Sequence, residues 1–144
     1  MANNSAFRID IEFDGMEELM SVLEEAGQTE KRHFTKKLNR FKSVPERGAK
    51  KLTPVLENDL TRSIRSSPVM QTNGTYFFTL GSNLPYAVKM HEWMGGWGER
   101  TQNKQRVKWR GYTPGRKYLE NAVNGSEESF QKMAEELLDK FTGG

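Results

Sequence analysis

Ala6-Phe7-Arg8-Ile9-Asp10-Ile11-Glu12-Phe13, followed at once by Asp14-Gly15-Met16-Glu17-Glu18-Leu19, is the stretch on which the fold class turns. Phe7, Ile9, Ile11 and Phe13 alternate against Arg8, Asp10 and Glu12, so a strand over 6–13 would place every apolar side chain on one face. The period then changes. Met16, Leu19, Met20, Leu23 and Ala26 recur every three or four residues, Asp14 stands at the N-cap with Glu17 at capping-box spacing, and Gly27 closes the run. A half-buried strand leading into an amphipathic helix requires a sheet with helices against it.

Working outward, Phe34, Leu38 and Phe41 predict a second helix, with Thr29 as its cap and Lys36, Lys37, Arg40 and Lys42 on its outer face. Ser43 and Glu46 repeat the capping-box spacing around Pro45, restarting helix through Ala49 and Leu52, and Pro54 stops it. Thr75–Ser82 reads as a strand with Tyr76, Phe78 and Leu80 on one face. Pro85–Trp93 reads as its hairpin partner across Gly81–Leu84, with Tyr86, Val88 and Met90 alternating. Residues 94–117 are basic and glycine-rich, with strand-like alternation only at Val107 and Trp109, and are expected to be a mobile loop that orders on a partner. Ser126 is the expected cap of a last helix carrying Phe130, Met133, Ala134, Leu137, Leu138 and Phe141. The order predicts α+β: an antiparallel sheet with amphipathic helices packed on one face, a long flexible basic loop, and one domain over 1–144.

With 144 residues, 35% of them hydrophobic, the chain is long enough for a core that needs neither disulfide nor metal. It has no cysteine and two histidines, which excludes thiolate zinc, Fe–S clusters, a thiol nucleophile and a three-histidine site. There is no apolar run of membrane-spanning length and the first residues lack a signal pattern, so neither a membrane nor export is expected. The net charge of +3 hides segregation: residues 1–30 carry −7, 31–66 carry +8, 67–98 are neutral, 99–117 carry +6 and 118–144 carry −4. Basic blocks bind phosphates, but opposite patches on one chain also dock on identical neighbours and close rings. Plain solvated helix faces would give the same pattern. The mean hydropathy of −0.81 is low for a packed domain and agrees with a surface made to meet other chains.

Catalytic signatures are lacking. His91-Glu92 has no second histidine at helical spacing, and Gly95-Gly96-Trp97-Gly98 lacks the Lys-Ser/Thr of a phosphate loop. The acidic residues lie on helix faces without the spacing of a catalytic pair. The expectation is no enzyme, no cofactor and no metal. The 99–117 segment carries the candidate interface, with Arg100, Lys104, Arg106, Lys108 and Arg110 as cations and Trp93, Trp97 and Trp109 as anchors. The alternative is a nucleic-acid-binding protein in which these cations, with Arg116 and Lys117, hold phosphates while Trp109 and Tyr112 stack on bases.

Several strings, in order, resemble the tail-component family of tailed bacteriophages, the small head–tail joining or tail-completion proteins. Phe13-Asp14-Gly15-Met16-Glu17-Glu18-Leu19 resembles the family's strand-to-helix start, and Pro54-Val55 followed by Leu60, Ser63 and Ile64 resembles its next string, with Asn58 where glycine is usual. Gly81-Ser82-Asn83 matches the family's turn, Tyr86-Ala87 and His91-Glu92 match the positions after that turn, and Arg116, Tyr118, Leu119 and Ala122 match a later string. The chain departs from the pattern after Glu92, where Trp93-Met94 precede Gly95-Gly96. These are packing and turn positions. The resemblance implies a non-enzymatic virion protein that forms a ring of identical subunits at the head–tail junction. Its neighbours would be connector or head-closure proteins and tail-tube proteins, with DNA contact in the lumen permitted but not required. The same resemblance implies residence in the virion, after assembly in the host cytoplasm and without a membrane.

Overall fold

The computed structural model describes residues 7–10, 16–56, 59–72 and 75–141. The elements are β1 (Phe7–Asp10), α1 (Met16–Glu24), α2 (Gln28–Phe41), α3 (Ser43–Leu52), α4 (Asp59–Ser63), β2 (Arg65–Ser66), β3 (Met70–Thr72), β4 (Thr75–Phe77), β5 (Thr79–Ser82), α5 (Ala87–Glu92), α6 (Glu99–Lys104), α7 (Tyr118–Gly125) and α8 (Glu127–Phe141). The class is α+β. β5 lies centrally between β1 and β2, antiparallel to both, and β3–β4 form a separate hairpin. No described helix is long and apolar enough to cross a membrane.

Directly paired residues share a face of a sheet, so the register sorts the two sides. Phe7 lies opposite Ser82 on the helical side, where the Phe7 ring meets His91 of α5 at 5.0 Å and Ser82 Oγ meets Ser63 Oγ of α4 at 2.6 Å. Gly81 and its partner Arg65 take the other side, where Arg65 is exposed. The core runs through the helical stripes: Leu19 and Leu23 of α1, Phe34, Leu38 and Phe41 of α2, and Phe130, Ala134 and Leu137 of α8. Edge-to-face contacts join it, Phe34 with Tyr76 at 5.0 Å and Phe41 with Phe130 at 5.5 Å.

Several local expectations are corrected. Residues 85–93 are not a strand: Tyr86, Val88 and Met90 alternate, but α5 buries Ala87 and His91 on one helical face and leaves Val88 exposed. The hairpin is therefore β3–β4, spanning Met70 to Phe77, and the expected strand 75–82 divides at Phe78 between the two sheets. Gly27, not Thr29, is the N-cap of α2, and no side chain caps it. Ser43 and Glu46 form no capping box. Ser43 Oγ donates to Arg40 O at 2.9 Å, while Glu46 Oε1 accepts from Ser66 N at 3.0 Å and Ser66 Oγ at 2.6 Å, which ties α3 to β2. Ser126 does not cap α8 with its side chain: its hydroxyl donates back to Ala122 O at 2.7 Å, closing α7. Pro54 does follow a helix end, with Thr53 already extended. Ile11, Phe13, the proposed Asp14 cap and Asn58 lie outside the described residues.

Candidate functional site

The 94–117 segment is not the structureless loop that its composition predicts: it contains α6 and a tight hairpin turn and is sewn to the end of α3. The last carbonyls of a helix have no partner within it and need one from elsewhere. Here the donors come from the basic segment. Lys104 Nζ reaches Lys50 O at 3.0 Å, Thr53 O at 2.6 Å and Thr53 Oγ1 at 3.0 Å, so all three ammonium protons are used. Gly115 N donates to Leu52 O at 2.8 Å, and buried Thr101 accepts from Val55 N at 2.8 Å through Oγ1. Burial pushes the Lys104 pKa down to about 8, while the negative end of the helix dipole favours its charge, so it remains an ammonium at neutral pH.

Trp109 is the second anchor. Its six-membered ring lies over Gly48 of α3 and Gly125 of α7, so close that a Cβ on either glycine would come within 2.5 Å of a ring carbon. The two glycines make the slot. Trp109 and Tyr112 exchange main-chain hydrogen bonds of 3.0 and 2.9 Å around Arg110 and Gly111, whose φ angles of 50° and 88° are those of a tight hairpin turn. A positive φ is costly for arginine. Its guanidinium is held in return, 4.9 Å over the Trp109 ring and donating to Gly125 O at 3.0 Å and Ser129 Oγ at 2.9 Å.

The third fastening surrounds His91, only 3% exposed, whose ring lies 5.0 Å from both Phe7 and Tyr118. Glu120 N donates to His91 Nε2 at 3.3 Å, which leaves Nδ1 as the N–H that donates to Glu92 Oε2 at 2.8 Å. Burial, foremost, holds the imidazole below its usual pKa. Glu92 also receives Lys117 Nζ at 2.8 Å and lies 4.0 Å from Arg116; hydrogen bonds from Lys117 first and His91 second depress its carboxyl to about 2. Lys117 has φ 62° and donates its N–H to His91 O at 2.7 Å. Fully buried Tyr118, its pKa raised by burial, donates to Ala87 O at 2.6 Å.

The structure thus separates the expected interface residues into two sets. Lys104 and Trp109 are half-buried against α3 and α7, and Arg110, itself exposed, folds back onto Gly125 and Ser129, so these three side chains already have partners within the fold. Trp93, Arg100, Arg106 and Lys108 are exposed, and Trp97 is half-buried. Trp93 Nε1 donates to Gly96 O at 3.0 Å and its ring lies 6.5 Å from that of Trp97; Arg100 reaches Leu56 O at 3.3 Å. Met94, 82% exposed, and Val107, 74% exposed, add apolar surface to the same segment. Of the motif positions, Leu60, Ile64, Leu119 and Ala122 are core residues, Gly81 is buried on β5, and Tyr86 is half-buried before α5. Sequence reasoning misses the role of His91, which it places as one of two strand neighbours. It misses the slot as well, although Gly48 inside a helical pattern and Gly125 beside a helix start are visible signals.

Set against protein-family models, curated proteins and solved structures, the chain matches none.

Proposed function

We propose that this chain is a non-enzymatic structural subunit of a tailed-phage virion that joins identical copies in a ring at the head–tail junction, against connector or head-closure and tail-tube proteins. The observation that carries the reading is the convergence of three separated motif strings. Ser63 meets Ser82, Tyr118 meets Ala87, and Arg116 with Lys117 meets Glu92, so residues that resemble the family in order along the chain form one connected framework in space. The surface fits the same reading. Trp93 and Met94 are exposed, as are Arg106, Val107 and Lys108 further along the chain, a composition of aromatic, Met and Arg that suits a protein interface. Glu128, Glu135, Glu136 and Asp139 of α8 are exposed without ion pairs among the described residues and offer the opposite charge on a neighbouring copy.

Sedimentation velocity from low to high salt tests the assembly. The expected result is a closed oligomer that loosens as salt rises and is lost in R106E/K108E. A monomer at every concentration, or assembly indifferent to salt and to this variant, would defeat the proposed contact. Particles assembled without the subunit should appear by electron microscopy as separated DNA-filled heads and tails; complete particles would remove the junction role.

A further inference from the structure

A second basic surface lies on α2. Lys31, Arg32, Lys36 and Arg40 lie along it, and among the described residues none of them is within ion-pair distance of a carboxylate, while Lys37 lines a separate cavity against α8 with Glu136. Beside them runs an open groove of about 690 Å³, walled by Lys31, Arg32, Lys36 and Asn39 of α2 and by Gln71 and Tyr76 of the β3–β4 hairpin. No aspartate or glutamate among the described residues lines it. His33, which also lines the groove, is held below its usual pKa by desolvation first and then by Lys140 of α8, Lys37, Lys36 and Arg40.

The chemistry selects the occupant. A protein partner is held chiefly by apolar and aromatic anchors, but the apolar residues of α2, Phe34, Leu38 and Phe41, are buried and its exposed residues are all polar. A phosphate backbone needs cations and neutral amide donors, which this groove supplies. Single strands are gripped by stacking on exposed rings; Tyr76, 5% exposed and edge-to-face with Phe34, offers no free face. A duplex remains.

We propose that the groove between α2 and the β3–β4 hairpin binds the backbone of double-stranded DNA without reading its sequence, with Lys31, Arg32, Lys36 and, one turn beyond them, Arg40 neutralising phosphates and Asn39 and Gln71 donating to their oxygens. The site is distinct from the 93–110 surface invoked for assembly, and different variants report on the two.

The test is fluorescence anisotropy of the full chain with a labelled mixed-sequence DNA duplex over a range of salt. Binding is expected to weaken with a log–log slope of about −3.6, as for four neutralised phosphates. K31Q/R32Q/K36Q/R40Q should lose affinity by at least about thirty-fold and flatten the slope, while R106Q/K108Q stays within about two-fold. N39E/Q71E, at two exposed positions, places carboxylates in the groove and should also abolish binding, which keeps the test valid if the quadruple variant folds poorly. The proposal is overturned by absence of binding at low salt, by full affinity in the α2 and groove variants, or by displacement with polyglutamate as effective as with unlabelled duplex. Tighter binding of an RNA duplex than of DNA would overturn the assignment to DNA.

Discussion

Helix α2 carries Lys31, Arg32, Lys36 and Arg40 without an ion pair to any carboxylate among the described residues, whereas the 99–117 segment bends Lys104 and Arg110 onto main-chain carbonyls and Arg116 and Lys117 toward Glu92. Periodicity explains the contrast. α2 docks through Phe34, Leu38 and Phe41, and burial of that stripe leaves Arg32, Lys36, Asn39 and Arg40 on the far side exposed. The 99–117 segment has no apolar stripe, so it docks with Trp109 and with charge-assisted hydrogen bonds to the free carbonyls of α3 and α7. Basic sequence remains without ion pairs in one case and in the other supplies, through Lys104, Arg110 and Lys117, fastenings between elements.

The comparison breaks most visibly at Trp109. Trp109→Ala should destabilise the protein by about 3 kcal/mol, measured by urea unfolding, because it empties the slot between α3 and α7. The slot also inverts a usual effect. Gly48→Ala, which would stabilise an ordinary helix by up to about 1 kcal/mol, should destabilise this one and regain its stabilising sign in the Trp109→Ala background. Lys104→Met should cost about 2 kcal/mol by removing the ammonium from Thr53 O and from Lys50 O, which keeps only Thr53 Oγ1, and a loss below about 0.5 kcal/mol would show that Lys104 does not cap α3.

A smaller effect concerns pH. His91 has a lowered pKa in the fold, so below about pH 6.5 the unfolded chain takes up a proton that the folded chain refuses. Stability should therefore fall as pH drops from 7 toward 5, and His91→Gln should flatten that slope in thermal melts. Glu92, depressed to about 2, acts in a lower window: its contribution is present above about pH 4.5 and is lost as pH falls toward 2. A melting temperature that rises on acidification from pH 7 to 5 would contradict the buried neutral imidazole.

Much of this is legible in the sequence. The stripes of α2, Phe34 to Phe41, and of α8, Phe130 to Phe141, can be read directly, because one helical period is sustained within helices of 14 and 15 residues. The β1 alternation is equally plain over Phe7–Asp10. The 85–93 stretch misleads because Tyr86, Val88 and Met90 fit a period of two while Ala87, Met90 and His91 fit a helix; contacts of His91 with Tyr118 and Glu120 decide it, and these lie far along the chain. The fastening of Lys104, Trp109 and Arg110 to α3 and α7 is hidden for the same reason. Their partners, Thr53, Gly48 and Gly125, are set by tertiary approach and leave no local pattern.

The most direct measurement neutralises the two regions in parallel, K104M/R110Q against K31Q/R32Q/K36Q/R40Q, and records the melting temperature and duplex-DNA affinity of each variant. A crossed outcome is predicted: the first variant loses stability and its native state retains DNA affinity, and the second keeps its melting temperature and loses DNA. Loss of DNA affinity by the folded first variant, with both properties intact in the second, would contradict the division of labour between the two basic regions.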